Sequence, residues 1–136
     1  MTDSVHPYLL ALDSLTEASE TGDARAFAEL FTEDAIIWQS HRDRDLSVRR
    51  FMKIFPVMEA WVTNRRYEDR RTDLFDHGAV TQHVLRGRRI DDGSPVQLHC
   101  CVVVRFDDDG KIVSLNEYLD SSEAAAFGPP QRDKGR

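Results

Sequence analysis

The apolar positions of this chain change period part-way along it. From Pro7, a residue suited to a first helical position, Leu9, Leu12, Leu15, Thr16 and Ser19 follow a helical stripe that stops at Gly22. Asp23 can cap a shorter second helix in which Phe27, Leu30 and Phe31 share a face, so the pair predicts a helical hairpin. Ala35-Ile36-Ile37-Trp38-Gln39 is short, β-branched and aromatic, which predicts a strand. After a polar loop from His41 to Asp45, Ser47 caps a third helix with Val48, Phe51, Met52 and Phe55 at core spacing, and Pro56 ends or kinks it.

From Val62 onward the period is two. Three turn signals, Asp76-His77-Gly78, Asp91-Asp92-Gly93 and Asp107-Asp108-Asp109-Gly110, divide the remainder into strands at Val62 to Phe75, Ala79 to Ile90, Val96 to Phe106 and Ile112 to Leu119. Consecutive strands joined this way form antiparallel hairpins, and strands longer than about five or six residues are expected to curve. Helices early and a meander late make an α+β domain: a cone in which three N-terminal helices cover one face of a curved antiparallel sheet around a pocket. The domain is expected over residues 1–127, with 128–136, polar and rich in Gly and Pro, as a mobile tail.

The last strand carries the most informative chemistry. Val113, Leu115, Glu117 and Leu119 share one face at period two, so a face that belongs in the interior draws a carboxylate in with it. On the second strand of the meander, Val80, Gln82, Val84, Arg86 and Arg88 form a solvated side and Thr81, His83 and Leu85 the other. If the second face is inward, His83 and Glu117 stand two strands apart, roughly 9 to 10 Å between backbones. Cys100 or Cys101 lies between them. An imidazole with a carboxyl partner is a usable acid-base pair, and a core His satisfied by Glu117 is the inert alternative. The pocket wall is then Phe51, Phe55, Leu98, Cys100, Leu115 and Leu119 with either Trp38 or Gln39, which point to opposite faces. His6, His41 and His77 fall at surface positions, and His99 faces away from the pocket unless a bulge exchanges the faces.

Composition narrows the function. The 136 residues, 40% hydrophobic and 31% charged, suffice for one domain with one core, and a net charge of -6 argues against nucleic-acid or anionic-membrane binding. No apolar run approaches a membrane span and the first residues do not read as a signal peptide, so a cytoplasmic protein is expected. The two cysteines are adjacent and cannot pair with each other. Histidines and acids show no local metal spacing and no phosphate loop occurs, so neither metal nor nucleotide is expected. Arg65, Arg66, Arg70, Arg71, Arg86, Arg88 and Arg89 fall on one hairpin, where pairing with Glu68, Asp69 and Asp73 predicts a solvated or interface face.

Gly22-Asp23 between the helices, the run from Phe31 to Ala35, Asp109-Gly110-Lys111-Ile112 and Glu117-Tyr118-Leu119-Asp120 resemble the nuclear-transport-factor-2-like superfamily, more closely its SnoaL-like branch, from the first helix to Ala126. That superfamily includes ketosteroid isomerases, polyketide cyclases, limonene epoxide hydrolase and scytalone-type dehydratases, as well as members that only bind or assemble. The positions corresponding to the ketosteroid isomerase Tyr, Asp base and oxyanion Asp hold Leu15, Gln39 and Val102, which removes that mechanism. Glu117 before Tyr118 is similar to the epoxide hydrolase's Asp-Tyr, but His83 and Leu85 stand where its Arg and second Asp would be. Thr81-Gln82-His83 resembles the dehydratase tripeptide whose His is an acid-base group, with Glu20 at the place of the dehydratase Asp. The resemblance implies a cofactor-free lyase or isomerase, of dehydratase or cyclase type, acting on a hydrophobic polyketide-like ligand through His83 and Glu117. It also implies a homodimer through the outer sheet face at Gln97, His99, Cys101, Val103 and Arg105. Ligand binding without turnover, or a dimeric assembly domain, are the alternatives.

Overall fold

The computed structural model describes residues 5–130. Helix α1, Pro7–Thr21, starts where His6 Nδ1 accepts the Tyr8 amide at 3.0 Å. It stops at Gly22, whose φ of 74° is left-handed and lets the Asp23 amide reach the Ala18 carbonyl at 2.9 Å. A side chain at Gly22 would also collide with the Glu59 carboxylate. Asp23 then caps α2, Ala24–Ala28, by accepting the Ala26 amide at 3.0 Å.

Strand β1 is longer than the sequence pattern predicts, running Phe31–Gln39, so Phe31 opens a strand and does not belong to the helix face shared by Phe27. The pairing jumps from Phe31 opposite Ile112 to Ile36 opposite Ser114, and this irregularity absorbs Thr32, Glu33 and Asp34. Part of the expected loop is a three-residue strand β2, Asp45–Ser47, antiparallel to β1. Ser47 Oγ accepts the Arg50 amide at 3.2 Å and starts α3, Val48–Trp61, which passes through Pro56. Pro56 is exposed, so its ring sits on the solvated side of the helix.

The meander follows the expected turns as β3 (Val62–Phe75), β4 (Gly78–Arg89), β5 (Pro95–Phe106) and β6 (Ile112–Leu119). The strand order is β2-β1-β6-β5-β4-β3, with β1 parallel to β6 and every other pair antiparallel. Two bulges bend β3, between Thr63 and Arg66 and between Glu68 and Arg71, and each contains a left-handed residue, Asn64 or Asp69. Each inserted residue exchanges the faces of the strand. Val62, then Arg65 and Tyr67, then Arg70 and Thr72 therefore share the concave side.

After β6, Asp120 caps a short helix α4, Ser121–Ala124, which continues as a 3₁₀ turn over Ala125–Phe127. These were not predicted. The turn delivers Phe127 into the interior, where it packs with Val62, Leu85, Val96, Leu98 and Cys100. A larger cluster built on Leu12, Phe27, Phe31, Phe55, Val104 and Ile112 joins α1, α2 and α3 to the other half of the sheet. The curved sheet does not close, and the space between the two clusters is the cavity. Most of the predicted tail, residues 131–136, lies outside the described residues, as do 1–4. No described helix is long and apolar enough to cross a membrane.

Candidate active site

A cavity of about 220 Å³ opens between the helices and the concave sheet. Its apolar wall includes Leu12 and Leu15 of α1, Phe51 and Phe55 of α3, and Leu98, Leu115 and Leu119 of the sheet. The alternative at the end of β1 falls to Gln39, which lines the cavity. Trp38 points the other way, with its ring 5.1 Å from Tyr118 and Nε1 donating to Asp43 at 3.3 Å, so its expected place in the pocket wall is corrected, as is that of Cys100, which is buried in the second core cluster and does not line the cavity. Leu15, Gln39 and Val102, the positions aligned with ketosteroid isomerase groups, all line the cavity.

Glu117 and His83 both face inward. The predicted face of β6 needs one change, because a register shift between Arg105 and Phe106 displaces Val113 from the row of Leu115, Glu117 and Leu119 and buries Ile112 instead. His83 stands directly opposite Cys100, and Cys100 opposite Leu119, so Glu117 lies on the diagonal two residue pairs along. Donor atoms of His83, Cys100 and Glu117 lie within 4.8 Å of one another, the only such group of three among the described residues. Adjacent Cys101 is on the convex side, half-buried and opposite Tyr118.

The electrostatics follow from desolvation. Burial raises the Glu117 carboxyl above its ordinary value, partly offset by hydrogen bonds from Gln39 and Cys100 and by the charge of Arg42. Gln39 Nε2 donates to Glu117 Oε1 at 2.6 Å, while Gln39 Oε1 accepts Arg42 Nε at 3.0 Å, an order that fixes which end of the amide meets the acid. Burial, aided by the positive charge of Arg70, lowers His83 to about 4, so the imidazole is neutral across the physiological range. Its Nε2 is buried without a hydrogen-bond partner. The Cys100 thiol is raised by burial and has two acceptors, the Leu98 carbonyl at 3.7 Å and the Glu117 carboxyl. Burial thus works against the charged form of acid, thiol and imidazole alike.

Several wall residues were not legible in the sequence. Tyr67 sets its ring edge-on to His83 at 4.8 Å between centroids, and burial raises its phenol, which hydrogen-bonds Ser19. Arg65 and Arg70, expected on a solvated face, turn inward. Arg65 reaches the carbonyls of Val62, Ser19 and Glu20 at 3.0, 3.3 and 3.2 Å, and Arg70 pairs with Asp13 at 2.6 Å. Arg86 does pair with Glu68 and Asp69 as expected, at 3.2 and 3.0 Å. His41, expected at the surface, is exposed on one side and lines the cavity on the other, with Arg42 beside it. The one signal for the inward turn of β3 is the presence of Asn64 and Asp69, residue types that tolerate left-handed backbone. Glu20 is not in the wall. Its Oε2 accepts the Tyr67 amide at 2.7 Å, filling a donor that the bulged edge strand leaves open. His99 faces outward, as expected, and meets Glu123 at 3.1 Å.

A curved, unclosed sheet with helices covering an apolar cavity is the nuclear-transport-factor-2-like cone. The chain belongs to the SnoaL-like domain family, whose model matches residues 12–115. Compared by sequence with curated proteins, it has no significant match. Among solved structures it is similar to IdmH of Streptomyces antibioticus, a proposed polyketide cyclase, with a TM-score of 0.78 and 18% identity over 90% of this chain and 98% of that one. PrhC of Penicillium brasilianum gives a TM-score of 0.75 and 15% identity over 89% and 85% of the two chains. A hypothetical protein of ketosteroid isomerase-like fold from Catenulispora acidiphila, solved with trimethylamine, gives 0.74 and 13% over 87% and 91%. At such identities the likeness establishes the fold alone.

Proposed function

We propose that this chain is a cofactor-free lyase or isomerase of dehydratase or cyclase type, acting on a small hydrophobic substrate through His83 and Glu117. The observation that carries the reading is their juxtaposition within 4.8 Å in an apolar cavity whose desolvation keeps the imidazole neutral and favours the protonated acid. In a dehydration, His83 takes the proton from carbon beside a carbonyl while Glu117 protonates the departing hydroxyl, so water leaves and a double bond forms. The imidazolium and carboxylate produced stabilise each other, which offsets the weak basicity of a buried imidazole. Proton return from His83 to Glu117 resets the pair. A cavity of about 220 Å³ is below the roughly 300–1,000 Å³ of drug-sized sites, which favours a substrate of one or two rings.

Aryl β-hydroxy ketones, whose dehydration gives an enone followed by ultraviolet absorbance, test the reading. His83→Ala and Glu117→Gln should each lower turnover by about 10²-fold or more with the fold intact by circular dichroism. Equal rates in wild type and both variants would remove the pair from the mechanism. Burial of His83 Nε2 favours a second reading, ligand binding without turnover, because a substrate reaches that nitrogen only after the ring moves. A homodimer through the convex face is part of the proposal. Gln97, His99 and Arg105 are exposed there and Cys101 and Val103 half-buried, with Ile36 and Tyr118 adding apolar surface.

A further inference from the structure

Cys100 has no part in the acid-base mechanism, yet β5 holds its thiol between the strands that carry His83 and Glu117. The three side chains supply sulfur, nitrogen and oxygen from three adjacent strands. Two binding bonds to zinc of about 2.0 to 2.3 Å place neighbouring ligands of a tetrahedron about 3.3 to 3.8 Å apart. Donors already within 4.8 Å need side-chain movement of about an ångström to reach that spacing. A second observation points the same way. The His83 ring makes no hydrogen bond to another described residue, and its Nε2 is buried without a partner, so a lone pair or N–H is left unused in the interior.

We propose that His83, Cys100 and Glu117 form a binding site for a zinc-class divalent cation, and that occupation of this site shuts off the acid-base pair. On binding, the thiol S–H gives up its proton, as does the Glu117 carboxyl wherever it holds one, metal–sulfur, metal–oxygen and metal–nitrogen bonds form, and the fourth position faces the cavity. One thiolate and one carboxylate balance the two charges of the ion, so the complex is neutral and suits an apolar wall. The arginines of the wall work against a cation, but Arg70 is held by Asp13 and Arg65 by Glu59. No oxidant or reductant takes part. Only the inhibition of turnover rests on the acid-base reading; the binding does not.

The adjacent cysteines provide the control, because Cys101 lies on the opposite face of the sheet. Cobalt(II) added to the full chain should give a near-ultraviolet thiolate-to-metal band at one equivalent, and competing zinc should abolish it. The band should vanish in Cys100→Ser and persist in Cys101→Ser. Zinc affinity measured by calorimetry should fall in Cys100→Ser and in His83→Ala by at least the roughly 10- to 100-fold that losing even an outer partner of a metal site costs. Absence of the band in wild type, or its survival in Cys100→Ser, would overturn the site. Zinc that binds with this residue dependence and leaves turnover unchanged would uphold the site and instead refute the catalytic role of His83 and Glu117.

Discussion

Replacing His83 with Gln removes a titrating group from the cavity wall while keeping a polar side chain of similar size. In the native protein the imidazole is lowered from 6.5 to about 4, and at about 1.4 kcal/mol per unit that difference amounts to roughly 3 kcal/mol. The sign follows from proton binding. As pH falls below 6.5 the unfolded chain takes up a proton on His83 and the native protein does not until about 4, so stability present above 6.5 is lost progressively over that window. Among the groups facing the ring, Arg70 repels the imidazolium, the neutral Cys100 thiol and Tyr67 phenol offer it no negative charge, and burial disfavours the carboxylate form of Glu117. Urea unfolding of both proteins at a series of pH values isolates the effect, since every surface carboxylate titrates alike in the two. Wild-type stability relative to His83→Gln should fall by about 3 kcal/mol between the two pH limits. Parallel stability curves would show that the imidazole is solvated or paired in the native state, and the desolvation argument would fail with it.

Two further outcomes follow from the same structure. Arg65→Leu should lower stability by about 3 kcal/mol in urea unfolding, because a buried guanidinium that joins β3 to the last carbonyls of α1 is lost; a loss below about 1 kcal/mol would mean that those carbonyls find other partners. Tyr118→Asp on the convex face should convert a dimer to monomer in sedimentation at micromolar concentration without changing the circular dichroism, and a wild type that sediments only as monomer would refute the dimer.

How much the sequence determines differs from element to element. The helical stripe from Pro7 to Gly22 and the three Asp-Gly and His-Gly turns are local signals, and they place α1, the meander and its hairpins where the structure has them. The inward alternation of Leu115, Glu117 and Leu119 and the facing of His83 are equally local, since period two is a property of the pleat. Pairing geometry decided the rest. The bulges of β3 brought Tyr67, Arg65 and Arg70 to the cavity, and no alternation read along the chain anticipates an inserted residue. The Trp38 or Gln39 choice depended on the register of β1 against β6, which sets Gln39 beside Glu117. Pro56 and the short turn ending at Phe127 are cases where tertiary burial overrode local propensity: packing of α3 carried it past a helix breaker, and the second core drew in a residue that would otherwise begin a tail. Alternation and hairpin order already set His83 and Glu117 on one face two strands apart with a cysteine between them, but only the strand register chose Cys100 over Cys101 and brought the three donors within 4.8 Å in a desolvated interior.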